Sequence, residues 1–301
     1  MYAAIPAGAA GEAKKKLNPP GSINSIDEIY EDERISTFLL CGTSEDLTDS
    51  LILLVADHKR EKLTMISIPR DLFYRNLKIN YINQIYGTGQ LIEDLSWITG
   101  IRIEHYFLID MYAFIEAIDI LDGIDVTLDS DLVDPTYKTM DSGKWSYLSY
   151  RKGTHHLSGV QALRVARSRH YSSDFDRARR QQRIIEALRQ KLNALSILDM
   201  KKIFNLIQTL SRYIETDLSA FDMLNYFAAV KDYAVDSQNV LDLSNVLTST
   251  YYYVWLREKG DRKEKTRNGD DELGPYILLP NNEDWNLIRW YVRELVLPST
   301  R

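Results

Sequence analysis

The sequence predicts an α/β fold, a single domain with a central β-sheet flanked by helices. Three observations predict it. Short apolar runs of strand length, bounded by turn residues, alternate with segments of helical period. Apolar residues make up 45% and charged residues 27%, the balance of a chain that buries a core. The 301 residues suffice for one large domain, and no internal repeat divides them.

Ser36 to Cys41, Leu51 to Ala56 and Leu63 to Ile68 read as buried strands, aliphatic and partly β-branched. Asp57-His58-Lys59-Arg60 between the last two is a hairpin-length loop. A helix over Gly89 to Thr99 stops at Gly100, which suits the left-handed position after a helix. His105 to Ile109 is a strand, and Tyr112 to Leu121 is a helix with Phe114, Ile118 and Leu121 on one face. Asp122-Gly123 turns into a strand at Ile124 to Leu128. Residues 129 to 152 read as a long irregular polar loop, a binding loop or lid. Ser158-Gly159-Val160-Gln161 is a capping box opening a helix, and Asp174 is placed to cap a second one reaching about Asn193. Further helices fall at 198–213 and 219–231, strands at Val240 to Leu243 and Tyr276 to Leu279, and a last helix at Glu283 to Leu295. Residues 257–274 are charged or turn-forming and read as a solvated loop.

Residues 1–34 carry Lys14-Lys15-Lys16, Pro19-Pro20-Gly21 and an acidic run, and read as a flexible linker or tag. The domain is expected over 35–298, with 299–301 as its end. Met1 to Ala13 lack the basic start and apolar core of a signal peptide, and no apolar run is long enough to span a bilayer. One cysteine, Cys41, excludes an intrachain disulfide and a thiolate zinc site. The net charge of −6 argues against a general nucleic-acid binder.

The unusual segment is Arg164 to Arg189, with eight arginines, three acids and no lysine. Planar guanidinium groups suit bidentate recognition of phosphate or carboxylate. For Arg179, Arg183 and Arg189 the reading is a solvated helix face. Arg177 and Gln181 share a helical stripe with Ile184 and Leu188, so they sit where that stripe leaves the core, near a helix N-terminus that attracts anions. Arg167 and Arg169 precede it, and in an extended Arg-Ser-Arg segment both would face one side. An anion site built from Arg167, Arg169 and Arg177 is the sharp reading, and a charged solvated face the bland one. Asp49, just before an apolar strand, is either a turn aspartate or a sheet-edge ligand. Arg70 and Asp71 follow a strand and either pair locally or face a site.

In this order, Thr48-Asp49-Ser50-Leu51, Ser67-Ile68-Pro69-Arg70-Asp71, Lys78-Ile79-Asn80, His156-Leu157-Ser158-Gly159-Val160-Gln161, Arg167-Ser168-Arg169, Asp174…Arg177 and Arg180-Gln181-Gln182 resemble the LytR-CpsA-Psr family of bacterial envelope proteins. The resemblance runs over about residues 35 to 298. It implies an α/β domain with a hydrophobic lipid pocket, on the extracytoplasmic face of the membrane, held by an N-terminal anchor that this chain does not include. It implies transfer of a glycopolymer from a polyprenyl pyrophosphate carrier to a cell-wall acceptor, a peptidoglycan hydroxyl, and no nucleic-acid partner. By motif, Arg70, Lys78, Arg167, Arg169, Arg177 and Gln181 would contact phosphate, and Asp49, Arg70 and Asp174 would carry the reaction. Mg²⁺ or Mn²⁺ would be held by Asp49.

The chain departs from the family pattern at 42–49. Ser44 stands where a first metal aspartate is expected, and Leu47 replaces an arginine. Glu45 or Asp46 would then complete the metal set with Asp49. The short loop keeps a second reading in view, a catalytically weak protein that binds polyprenyl phosphates or lipid-linked sugars. A third reading, a nucleic-acid-binding regulator, rests on Arg177 to Arg183 alone.

Overall fold

The computed structural model describes residues 29–30, 32–44, 47–141, 143–168, 173–195, 203, 206–208, 213–259 and 273–297. In chain order the first half holds β1 (Ile35–Ser44), β2 (Leu47–Asp57), β3 (Lys62–Ser67), β4 (Phe73–Tyr74), β5 (Leu77–Lys78), α1 (Ile79–Tyr86), α2 (Thr88–Thr99), β6 (His105–Ile109), α3 (Met111–Ile120) and β7 (Ile124–Leu128). Then come β8 (Leu132–Asp141), β9 (Lys144–Tyr150), β10 (Gly153–Leu157), α4 (Gly159–Arg167), α5 (Asp174–Asn193) and β11 (Ile214–Thr216). The chain continues through α6 (Ala220–Val230), β12 (Ala234–Val240), β13 (Leu247–Tyr251), α7 (Tyr252–Glu258), β14 (Tyr276–Pro280) and α8 (Trp285–Val296).

The central sheet has the order β11-β6-β1-β2-β3-β12. β2 runs antiparallel to β1 and β3, while β6 is parallel to β1 and β12 is parallel to β3. The carboxyl ends of β1, β3, β6 and β12 therefore lie along one edge, together with the start of β2. Loops at such an edge are where open α/β sheets bind ligands.

Alternation along the strands fills both faces. Leu51, Leu53 and Val55 of β2 and Ile66 of β3 join Ile79 and Ile82 of α1, Leu91, Leu95 and Ile98 of α2, and Ile288 and Val292 of α8 in one core. The opposite face, with Ile52, Ala56, Leu63 and Met65, is covered by Ile185 of α5 and Val230 of α6. A satellite core joins α3, α4 and α5 to β7, β10, β8 and β9. Cys41 lies in the first core, and burial pushes its thiol far above the usual range.

Where the sequence and structure differ, the reasons are local. Residues 129–152 are not irregular: β8 and β9 pair as a hairpin with an irregularity between Asp134 and Lys138. Pro135 and the polar composition hide it. Buried Asp134 accepts hydrogen bonds from Thr136 and Tyr137 backbone amides at 3.1 Å and from the Ser168 hydroxyl at 2.9 Å, replacing the lost ladder bonds. The α5 cap is Ser173, in a capping box with Asp176, and Asp174 is the first helical residue. β12 occupies 234–240 instead of 240–243, and α1, β11 and β13 were not anticipated. The helix expected at 198–213 and the loop at 257–274 fall largely outside the described residues. Packing begins before Ile35, because Tyr30 bridges to Ile101 and packs against the first core. Among the described residues no helix is long and apolar enough to cross a membrane.

Arg180 of α5 is buried, donating to the carbonyls of Val165 at 3.2 Å and Ser168 at 2.5 Å, so it caps α4. Arg180→Met leaves those carbonyls without a donor and is expected to lower unfolding free energy by about 1–3 kcal/mol. Urea denaturation checks this, with the parent protein as reference.

Candidate functional site

The site forms where β3 ends. The chain turns at Pro69, and three backbone hydrogen bonds fix the next two residues. Asn80 N–H donates to the Arg70 carbonyl at 3.3 Å, Leu278 N–H to the Asp71 carbonyl at 3.0 Å, and Leu72 N–H to the Pro69 carbonyl at 3.1 Å. Arg70 and Asp71 are thus clamped between the start of α1 and β14. The Arg70 guanidinium bonds the Asp49 carboxylate and lies 3.9 Å from Asp71 Oδ2. Its Nε–H is buried without a hydrogen-bond partner. Lys78 Nζ donates to Asp71 Oδ1 at 2.7 Å.

Asp49 lies inside β2, not before it. β2 begins at Leu47, and Gly42 pairs with Ser50 while Thr43 pairs with Thr48, so Asp49 is the extra, unpaired residue of a β-bulge. Gly42 leaves close room there, since an added Cβ would come within 3.2 Å of Ser50 Cβ and the Ser50 side chain would have to shift slightly. Ser50 donates to Gln181 Oε1 at 3.1 Å, joining β2 to α5. Gln181 also donates to the Ala166 carbonyl at 3.3 Å. One turn earlier, Arg177 is buried and its Nη1 lies 3.2 Å from Asp174 Oδ1.

These residues border one cleft of about 290 Å³. Its polar side holds Asp49, Ser50, Arg70, Asp71, Asp174, Arg177 and Gln181. Its apolar lining comprises Leu51, Ile68, Phe175, Val240, Leu243 and Leu278, and Tyr276 lines it as well. Burial pushes the Tyr276 phenol above its usual range, outweighing a Ser249 hydrogen bond that lowers it, and the Asp71 and Asp174 carboxylates add to the rise. The phenol therefore remains an O–H donor at neutral pH.

Of the residues singled out in the sequence, Asp49, Arg70, Asp174, Arg177 and Gln181 meet in this cleft. Lys78 stands behind it, reaching it through Asp71. Arg167 is not brought in. It is the last residue of the helix α4, where the expected extended Arg-Ser-Arg segment does not begin, and its Nη1 lies 2.5 Å from Met111 Sδ. The next residue, Ser168, is turned inward to Asp134. Arg169, Glu45 and Asp46 lie outside the described residues.

Arg179, Arg183 and Arg189 are not a solvated face. Arg179 pairs with Asp242 at 2.8 Å, Arg183 pairs with Asp129, and Arg189 donates to the Val230, Lys231 and Tyr233 carbonyls. Asp71, left open between local pairing and the site, does both, since it pairs with Lys78 and lines the cleft. Ser50, Phe175, Leu243 and Tyr276 were missed, and only Ser50 sits inside a quoted motif. For Tyr276 the strand was legible but its face was not.

Among the described residues no group of three or more His, Cys, Asp and Glu gathers to hold a metal. Asp49 and Asp71 nevertheless approach one guanidinium, so two carboxylates border the same spot. That donor set fits Mg²⁺, which takes one or two carboxylates and fills its octahedron with water and phosphate oxygens.

A mixed α/β domain with an arginine-bearing, half-apolar cleft at the carboxyl edge of its sheet is the class of protein defined here. The chain belongs to the LytR_cpsA_psr family, whose model matches residues 22–268. It is 28% identical over 268 residues to the polyisoprenyl-teichoic acid–peptidoglycan teichoic acid transferase TagV of Bacillus subtilis, covering 81% of this chain and 67% of TagV. It is 25% identical over 230 residues to TagT of the same organism, a transferase of the same description, covering 74% of this chain and 70% of TagT. An uncharacterized Staphylococcus aureus protein matches at 28% over 236 residues, or 76% of this chain, and the match spans only 56% of that protein's length. The fold is that of the TagV crystal structure, with TM-score 0.66, 22% identity, and coverage of 88% of this chain and 98% of that one. The structure of TagT bound to LIIa-WTA gives TM-score 0.65 at 21% identity, covering 90% and 96%.

The cleft geometry separates two arginines that the sequence grouped. Arg177→Ala is expected to weaken inorganic pyrophosphate binding by about 2–5 kcal/mol, the cost of removing a partner from a desolvated charge pair. Arg167→Ala should change it by less than about 0.5 kcal/mol. Calorimetric titration of both variants checks this, and a reversed order would place the anion on the α4 side.

Proposed function

We propose that this protein is a glycopolymer transferase. It moves the polymer from a polyprenyl pyrophosphate carrier to a hydroxyl of the peptidoglycan acceptor, on the outer side of the cytoplasmic membrane. The observation that carries this reading is the two-sided cleft. Arg70 and Arg177 line it together with Phe175, Val240, Leu243 and Leu278. A ligand that fits must be anionic at one end and apolar next to it, as a polyprenyl pyrophosphate is. The names of TagV and TagT, similar over most of this chain, support the same substrate class.

The chemistry follows from the residues. The acceptor oxygen attacks the phosphorus that carries the glycopolymer, forming a new P–O bond. The bond from that phosphorus to the oxygen of polyprenyl phosphate breaks, and the monophosphate leaves. Such a transfer needs positioning and charge neutralisation more than covalent help. Arg70 lines the cleft with a guanidinium whose Nε–H makes no hydrogen bond and lies 3.9 Å from Asp71 Oδ2, so its charge is available to a phosphate that displaces these carboxylates. Arg177 is held by the α5 backbone and Asp174. The Asp174 side chain, 40% exposed, stands where the acceptor hydroxyl would enter and can take its proton. Tyr276 donates a hydrogen bond from the opposite wall. Mg²⁺ or Mn²⁺, held by Asp49 and Asp71, would supply further neutralisation of the pyrophosphate charge.

One observation favours a binding-only protein. Asp49 and Asp71 are each already bonded to a cation, Arg70 and Lys78. A divalent ion must compete for both carboxylates. The nucleic-acid reading loses its basis, because Arg179, Arg180, Arg183 and Arg189 are spent on partners within the fold.

Transfer of a labelled glycopolymer from its lipid carrier to peptidoglycan tests the reading. Arg70→Ala is expected to lower the rate about 10²–10³-fold. Asp49→Ala should raise the Mg²⁺ concentration needed for half-maximal rate. Carrier binding with no transfer under any divalent ion would support the binding-only protein.

A further inference from the structure

β13 and β14 form a two-stranded antiparallel ribbon whose two faces meet different cavities. Tyr276 and Leu278 face the cleft already described. Thr248 pairs with Leu279 and Thr250 with Ile277, so these four share the opposite face. There a second, open groove of about 550 Å³ runs between the ribbon and α7. Nothing in the transferase chemistry above uses it.

Trp255 lines this groove, and its ring is held by its neighbours. It packs edge-on against Phe73, with centroids 5.4 Å apart, and nearly parallel to Tyr252 at 6.2 Å. Its indole N–H donates to Glu283 Oε1 at 3.2 Å, and Lys259 Nζ bonds Glu283 Oε2 at 2.7 Å. Asn282 and Glu283 both hold left-handed backbone, φ 57° and 56°, which is rare for such residues and brings their side chains to the groove. Around the ring, Thr248, Thr250, Glu258 and Asn282 spend no side-chain hydrogen bond or ion pair on other described residues. A preset aromatic plane ringed by unspent hydroxyl, amide and carboxylate groups suits a pyranose. Its C–H face stacks on the ring while its equatorial hydroxyls bond the rim. The Glu258 carboxylate and the Lys259–Glu283 ion pair also line the groove and can bond sugar hydroxyls and N-acetyl groups.

We propose that this groove binds the acceptor glycan, through neutral N-acetylated pyranoses of the peptidoglycan backbone stacked on Trp255. Naming the acceptor rests on the transferase reading, while the sugar chemistry rests on the groove alone. Tyr251 and Tyr276 pair at the end of the ribbon, 41% and 37% exposed, with Tyr276 also in the cleft. A glycan on Trp255 can continue past that end to present a hydroxyl at the cleft mouth.

The test uses the full chain labelled with 5-fluorotryptophan and a neutral β-1,4-linked N-acetylglucosamine tetramer as probe. The five tryptophans give separate fluorine signals, assigned by Trp-to-Phe variants. Titration should shift the Trp255 signal saturably and leave Trp145 and Trp97 in place. Thr250→Arg, which places a long cationic side chain at the groove, should weaken binding at least about tenfold. Circular dichroism confirms that this variant is folded. The proposal is overturned by a Trp255 signal that does not respond, by a saturable shift at another tryptophan only, or by parental affinity in Thr250→Arg. Binding of a polyprenyl pyrophosphate is followed in the same samples. Glycan bound without carrier retires the transferase reading and keeps a sugar site, and carrier bound without glycan retires the groove alone.

Discussion

Four consecutive polar residues of α5, Arg179 to Gln182, hold this structure in its working arrangement. Each reaches a different element. Arg179 pairs with Asp242 beyond β12, and Arg180 caps α4. Gln181 joins β2 through Ser50, and Gln182 donates to Ser67 of β3 and the Asn239 carbonyl of β12 at 2.8 Å each. Gln182 is fully buried and Arg180 nearly so. Burying such groups is tolerable only when their hydrogen bonds are remade, and here each finds a partner. A helix docked by apolar contacts alone could slide by a turn at modest cost. One docked by four different polar pairings cannot, since a slide would leave several buried groups unpaired.

That docking determines the cleft. The first turn of α5 lies beside the end of β3, so Arg177 arrives from the helix and Arg70 from the strand. Phe175 and Ala178, on the same turns, line the cleft with Val240 and Leu243 at the end of β12. The charged and apolar sides of the cleft are therefore two consequences of one packing decision. The same logic accounts for the arginine-rich segment. Most of its charge is consumed as struts between elements, and Arg177 is the described arginine of α5 that lines the cleft.

Much of this was legible in the sequence where local chemistry and final packing agree. The aliphatic strands, the Gly100 stop and the capping box at Ser158 follow from short-range rules, and the structure keeps them. Arg177 and Gln181 were singled out because their helical stripe leaves the core at a helix N-terminus, and Asp49, Arg70 and Asp174 took their roles from the family motifs; the structure brings all five to one cleft. Arg167 was misplaced because whether α4 ends at 165 or 167 decides the direction of its side chain, and the sequence does not mark that end. The β8–β9 hairpin was hidden because its ladder is interrupted at Pro135 and repaired by the Asp134 side chain. Tyr276 and Leu243 belong to the cleft only through contacts between distant segments, which no period or motif reports.

The central claim is that one cleft between β3 and α5 receives a pyrophosphate on its arginine side and an isoprenoid chain on its apolar side. A crystal structure with a short-chain polyprenyl pyrophosphate bound tests it most directly. The account predicts phosphate oxygens on the Arg70 and Arg177 guanidinium groups, with the first isoprene units against Phe175, Leu243 and Leu278. Phosphates seated on Arg167 at the α4 end, or a lipid chain lying away from this wall, would contradict it.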